Sequence, residues 1–231
     1  MISHQYKCVF IHIPKTAGTS IERILGHFDA DLVRPGDPQG GVERDVQDHR
    51  PLRGLEPVSF GVLSSAILRN LGSASALRAT LARYQNRELT RKQFNSYYKF
   101  SIVRNPWSRA LSWYKNVMID KTHKASLNIE GSCSFKEFMQ THGNTWALRP
   151  QLYWIKNAKG QVAMDFIGKF ETLEQDFATI CDAIGMRDKT LPRLVISDKE
   201  HNEQHFDAET IDLIYDKYKV EIKMFGYAFE G

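Results

Sequence analysis

Two short apolar runs, Lys7–Ile13 (KCVFIHI) and Phe100–Val103 (FSIV), each stop at a proline turn and lead into a segment of helical spacing. The first meets Pro14, after which Ile21, Ile24 and Leu25 share one side of Ser20–Phe28. The second breaks at Asn105-Pro106, after which Leu111, Tyr114 and Val117 share one side of Trp107–Val117. Strands separated by helices pair in parallel, so the repeated pattern predicts an α/β protein with a central parallel sheet and helices on both faces. Asp165–Phe170 is the third strand candidate. Asp207 is placed to cap a helix over Ala208–Lys219, with Ile211, Ile214, Tyr215 and Tyr218 at helical spacing. Ser134-Phe-Lys-Glu137 and Thr172-Leu-Glu-Gln175 match the capping box and predict two further helix starts. Residues 60–94 read as two or three short helices. Residues 29–41, rich in Asp, Pro and Gly, read as a loop, and together with 118–133 they have the most freedom to move.

The turns carry the chemistry. Pro14-Lys15-Thr16-Ala17-Gly18-Thr19-Ser20 lies where a strand ends and a helix begins, so unpaired backbone N–H groups can face an anionic oxygen cluster. Small residues let the backbone approach it, Lys15 adds a mobile charge, and Thr16, Thr19 and Ser20 add hydroxyl donors. This is not a Walker A loop in spelling, because the two glycines that precede the lysine there are missing. A magnesium-binding Asp at a strand end has only Asp165 as a candidate. The plainer alternative treats Thr19-Ser-Ile-Glu22 as a capping box and Lys15 as a solvated loop residue, which leaves the Lys-Thr-Ala-Gly run unexplained. Arg104 repeats the logic at the end of the second strand: with Ser112, eight residues on along the helix, it could clamp one phosphate while Pro106 fixes the turn. Two anion sites suggest a ligand with two phosphates.

Length and composition bound the rest. The 231 residues, 42% of them hydrophobic, suffice for one sizeable core, and no repeat or linker divides residues 1–231, so a single domain is expected. No apolar run near the start approaches the ~20 residues that span a bilayer, and no signal-peptide pattern is present. Cys8, Cys133 and Cys181 are odd in number and widely spaced, which argues against a disulfide framework and fits a reducing cytoplasm. The net charge of +4 is unevenly spread: residues 44–109 hold 12 Lys/Arg against 4 Asp/Glu, and residues 161–231 hold 8 against 15. The middle third is therefore an anion-attracting surface, or a solvated basic helix face. No zinc-finger or aromatic-glycine RNA-binding signature accompanies it, so no nucleic-acid partner is expected.

FIHIPKTAGTS and FSIVRNPWSRALSWY closely resemble the two cofactor signatures of sulfotransferases, in particular the bacterial branch of the carbohydrate sulfotransferase type 2 group. Val162–Phe177 and Tyr218–Phe229 are similar to later blocks of that family, so the resemblance spans most of the chain. It implies a P-loop-like three-layer α/β fold that binds 3′-phosphoadenosine 5′-phosphosulfate (PAPS), transfers the sulfuryl group to a hydroxyl or amine, and releases adenosine 3′,5′-bisphosphate without a metal. By position, Lys15, Thr16, Ala17, Gly18, Thr19 and Ser20 would hold the 5′-phosphosulfate, and Arg104 with Ser112 the 3′-phosphate. Lys15 would also meet the charge that develops on the leaving oxygen.

For the base, His49 in Val46-Gln-Asp-His49 is preferred, because similar sulfotransferases place a histidine after the strand that follows the first helix. An unperturbed histidine, at ~6.5, also suits proton transfer. Asp48 and Glu171 are the other candidates. His12 reads as a core or supporting residue, and His4, His27, His123 and His142 as surface or helix-end residues. His201 and His205 lack a third metal ligand. Trp107, Trp113 and Tyr114 read as packing. The resemblance departs at Glu56–Glu88, which is longer than the compact bacterial pattern and is where an acceptor pocket would be shaped. A glycan or other hydroxyl compound is the expected acceptor. A nucleotide kinase or phosphotransferase, and a non-catalytic nucleotide-binding module, remain the competing readings.

Overall fold

The computed structural model describes residues 1–26, 47–57, 60–69, 72–78, 88–191 and 203–229. Four strands form one sheet in the order β1 (Ile2–Ser3), β2 (Cys8–Ile11), β3 (Tyr98–Val103), β4 (Phe166–Lys169). Strands β2, β3 and β4 are parallel, with Phe10 opposite Phe100 and Phe100 opposite Phe166. The expected parallel sheet is corrected at one edge, where β1 pairs antiparallel to β2. Two residues are too few to show an alternating pattern, so the sequence carried no sign of β1.

Side chains alternate along the buried strands and divide the core. Cys8, Phe10, Phe100 and Ile102 pack with Ile21 and Leu25 of the first helix region, α1 (Gly18–Ile24), and with Phe177, Ile180 and Cys181. Val9, Ile11 and Val103 point to the opposite face. There they meet Leu52 and Leu55 of α2 (Leu52–Leu55), Phe94 of α4 (Arg91–Ser96), and Leu152, Trp154 and Ile155 of α8 (Gln151–Ile155). Helices therefore cover both faces. In the long stretch before β3, residues 60–69 (α3) and 74–78 are helical, and α4 is closed by a Thr90–Gln93 capping box.

A third cluster joins α5 (Pro106–Ile119), α7 (Phe135–His142) and α10 (Ala208–Phe225) through Trp107, Trp113, Phe138 and Tyr218. Trp107 and Trp113 are buried as packing residues, as expected. Residues 118–133 are more ordered than expected: α5 runs to Ile119, and α6 (Lys121–Ser126) follows at once, capped by Asp120. The Ser134 capping box forms. The Thr172 one does not: α9 (Leu173–Ile184) starts there, but the Thr172 hydroxyl donates to Asp176 Oδ2 at 2.7 Å. Asp176 also accepts from Lys169 N–H at 2.7 Å, so it draws the hydroxyl away from the helix backbone.

Two buried polar groups brace the end of β3. Gln151 accepts from the Arg104 N–H at 2.8 Å and donates to its carbonyl at 2.9 Å, which fixes Arg104 from both sides. Glu221, fully buried on α10, accepts in turn from the Gln151 side chain at 3.1 Å. Burial pushes the Glu221 carboxyl upward, while Arg109 and the Gln151 contacts pull it back.

Candidate functional site

The loop after β2 is held in a conformation that its residues would not choose freely. Lys15 and Ala17 have φ of 67° and 64°, each costing roughly 1–2 kcal/mol for a residue with a Cβ. Such left-handed residues in a turn aim successive N–H groups into an anion-sized hollow. Thr16 is buried and donates to the Ile13 carbonyl at 2.9 Å, which locks the turn. Ala17 is the N-cap of α1. Glu22 is not a capping residue: it is buried, 3.0 Å from His12 Nδ1, and accepts from the Asp48 N–H at 3.2 Å. The plain capping reading of this segment therefore fails.

Gly18 is required by His12. A Cβ at Gly18 would lie 1.9 Å from His12 Cδ2, and His12 is pinned between Glu22 and the Phe10 ring. Gly18→Ala is therefore expected to destabilise the protein by ~1–3 kcal/mol through overpacking. A thermal melt checks this, with an expected drop of about 2–4 °C per kcal/mol for a chain of this size.

The second signature lies against the first. Arg104 Nη1 donates to the Lys15 carbonyl at 3.2 Å, its guanidinium lies 4.1 Å over the Phe170 ring, and its Nε has no partner among the described residues. Burial lowers Arg104 to about 10, with Glu171 opposing the shift. Lys15 Nζ donates to Asn116 Oδ1 of α5 at 3.2 Å, and burial, with Arg104 nearby, lowers it to about 8. Among the described residues neither cation has an ion pair. Buried Arg104 and half-buried Lys15, beside a turn of left-handed residues, suit a polyanion. Ser112 lies one turn before Asn116 on the same face of half-buried α5, so this face is turned toward the loop.

His49 adjoins the loop from the other side. Its ring is 4.1 Å from the His12 ring, its Nδ1 is 3.2 Å from the His12 carbonyl, and its Nε2 is 3.0 Å from the Gln47 amide. The His12 carbonyl can only accept, so Nδ1 carries the proton and, in the neutral ring, Nε2 keeps the lone pair; Nε2 faces the Gln47 carbonyl oxygen Oε1. The same amide reaches Thr19 Oγ1 at 3.1 Å, linking His49 to the loop. Burial, with His12 adding to it, pushes His49 down to about 4. Residues 27–46, which include the 29–41 loop, lie outside the described ones.

The other proton acceptors are engaged elsewhere. Asp48 is ion-paired with Arg50 and the Met1 amino group, and these bonds hold its carboxyl well below the usual range despite burial. Glu171 accepts from the Asn105 N–H at 2.7 Å and the Tyr227 hydroxyl at 3.1 Å. It thereby ties the turn after β3 to the C-terminal segment, which the Asn105 side chain also holds through the Ala228 carbonyl at 2.8 Å. Asp165 precedes β4 and accepts from the Lys99 N–H at 2.7 Å, at the opposite end of the parallel strands from the loop.

His123, expected at the surface or at a helix end, lies half-buried in the last turn of α6. Its Nδ1 is 2.6 Å from Asp120 and 3.4 Å from Asn116 Nδ2, and its ring meets Trp113 at 4.9 Å. Lys15, Asn116, His123 and Asp120 thus form one polar chain. Asn116 and Gln47 went unnoticed in the sequence. A signal for Asn116 existed in its spacing of four from Ser112.

The strand-to-helix loop and the arginine at the tip of the next parallel strand thus meet at the carboxyl ends of the strands of an α/β sheet, the place where such sheets take ligands. The chain belongs to the sulfotransferase family, whose profile matches residues 1–228. An uncharacterized protein of Archaeoglobus fulgidus is 32% identical over 96 residues, covering 42% of this chain and 74% of the relative. Carbohydrate sulfotransferase 10 of Xenopus laevis is 27% identical over 173 residues, covering 59% of this chain but only 49% of that protein. No solved structure matches. Among the described residues, no helix is long and apolar enough to cross a membrane.

Proposed function

We propose that this protein transfers the sulfuryl group of PAPS to a hydroxyl of an acceptor, most simply a carbohydrate. The observation that carries the reading is the Arg104 contact to the Lys15 carbonyl, 3.2 Å, which sets buried Arg104 and half-buried Lys15 around one strained loop. Lys15 to Ser20 would hold the phosphosulfate, and Arg104 with the Ser112 face of α5 the 3′-phosphate. In the transfer, the acceptor oxygen bonds to sulfur in line as the bridging S–O bond breaks, and the acceptor proton passes to His49 Nε2. Lys15 stabilises the charge left on the departing phosphate oxygen. The Xenopus relative's name supports a carbohydrate acceptor.

Calorimetry with adenosine 3′,5′-bisphosphate, AMP and ATP tests the donor assignment. A charge-assisted contact to the 3′-phosphate should favour the bisphosphate over AMP by ~1.5–3 kcal/mol, and equal affinity would overturn the reading. Incubation with PAPS and acceptor pools, followed by mass spectrometry, should then show a sulfated product.

A further inference from the structure

Of the four tryptophans, Trp107, Trp113 and Trp154 are buried, whereas Trp146 is 45% exposed. Its aromatic neighbours meet it at an angle: His49 at 5.2 Å and 56°, Trp113 at 6.1 Å and 67°, Trp154 at 6.1 Å and 71°. No ring among the described residues is stacked face to face on it. The exposure is not looseness, because the short 3₁₀ turn Trp146–Leu148 is anchored from below. Buried Arg109 donates to the carbonyls of Ala147 at 2.9 Å and Arg149 at 2.8 Å, and the Tyr218 hydroxyl donates to that of Leu148 at 2.7 Å. An indole is thus mounted rigidly, partly bare, directly beside His49.

The surroundings turn polar at His49 directly and, beyond Trp154, at an arginine–tyrosine stack. His49 borders the indole and carries Gln47 on its Nε2. Trp154, whose ring also lies 6.4 Å from that of His49, packs on Tyr153, whose ring lies under the guanidiniums of Arg53 at 3.9 Å and Arg149 at 4.5 Å. An occupant of this place has to be apolar on one face and polar around its rim. A pyranose has that shape, with a C–H face for the indole and hydroxyls at its edge. An alkyl chain would desolvate the arginines without replacing their water, and a simple phenol would offer one hydroxyl to several polar neighbours.

We infer that Trp146 is the stacking platform for a sugar ring of the acceptor, with the Arg53–Tyr153–Arg149 stack meeting the polar edge of that ligand. Trp146 is a positioning residue that presents a ring hydroxyl to His49. The inference rests on the sulfuryl-transfer reading for what happens to that hydroxyl, but not for the binding of the ring.

Saturation-transfer difference NMR on the full chain, with saturating adenosine 3′,5′-bisphosphate, tests it. The probes are cellobiose, lactose, chitobiose, a uronate-containing disaccharide and 1-octanol. At least one disaccharide should receive saturation on its ring C–H protons, and 1-octanol should not. Trp146→Ala should weaken that disaccharide about ten-fold, and Trp146→Phe should restore most of the loss. An unchanged signal in Trp146→Ala, no signal from any disaccharide, or a preference for 1-octanol would overturn the platform. Bisphosphate affinity is measured on the same samples and should be equal in all three proteins. If the wild type binds no bisphosphate, the donor assignment falls, while the difference between Trp146 variants still decides the platform.

Discussion

Lys15→Ala is expected to reduce turnover by ~10²–10³-fold while weakening adenosine 3′,5′-bisphosphate by about ten-fold or less, because its charge should matter most where negative charge develops. Loss of affinity with turnover at saturation unchanged would make Lys15 a docking residue only. The protonation state supplies a second measurement. Burial sets Lys15 near about 8, so at that pH much of the free protein has it neutral. An anion binding beside it raises that value, so binding near pH 8 takes up protons. The calorimetric heat should then vary with the ionisation enthalpy of the buffer, and affinity should fall as pH rises above about 8. Both effects should vanish in Lys15→Ala. The stability sign is opposite to that of an ion-paired lysine. With its folded value below the ordinary one, the folded protein binds fewer protons than the unfolded chain, so this residue costs stability at neutral pH and the cost fades above about 8. Lys15→Met should therefore melt higher than the wild type at pH 7 while losing turnover.

The parts of this site that local pattern can reveal were visible in the chain. Apolar runs ending at Pro14 and Pro106 gave the strand tips, and parallel pairing follows from the helices between them. Lys15, Gly18 and Arg104 stand out by residue type and position. The left-handed conformation of the loop does not, because positive φ falls on Lys15 and Ala17 rather than on a glycine. The one glycine of that loop serves a different end, making room for His12. Partners brought together by the fold were also hidden. Asn116 meets Lys15 across 101 residues, and the Trp146 turn depends on Arg109, 38 residues away from the carbonyl it holds. Nothing in the local spelling of Trp146-Ala-Leu marks its indole as exposed. The resemblance named the family and the roles by position. It could not show that Asp48 and Glu171 are already committed to Arg50 and to Asn105 with Tyr227.

His49→Asn is expected to lower turnover by ~10²–10⁴-fold with bisphosphate affinity nearly unchanged, the result of removing a positioned proton acceptor. Its pH behaviour is more telling than its size. Burial beside His12 holds His49 near about 4, so the imidazole is neutral, with its lone pair on Nε2, throughout the neutral range. The acid limb of kcat/KM, which reports the free protein, should accordingly fall near pH 4 rather than at the ordinary histidine value. Negative charge bound at the loop favours the protonated ring, so the limb of kcat should lie higher. Both limbs should be absent in the variant. Stability supplies an independent check. A depressed folded value means that the folded protein binds fewer protons, so the wild type loses stability as pH falls from about 6.5 toward about 4. His49→Asn should lose less over that interval. A variant that keeps most of its turnover and the same limb would pass the role to another group. Asp48 and Glu171 are tied up in ion pairs and hydrogen bonds, so His123 is the next to test: Asp120 lies 2.6 Å from its Nδ1, and Asn116 links it to Lys15.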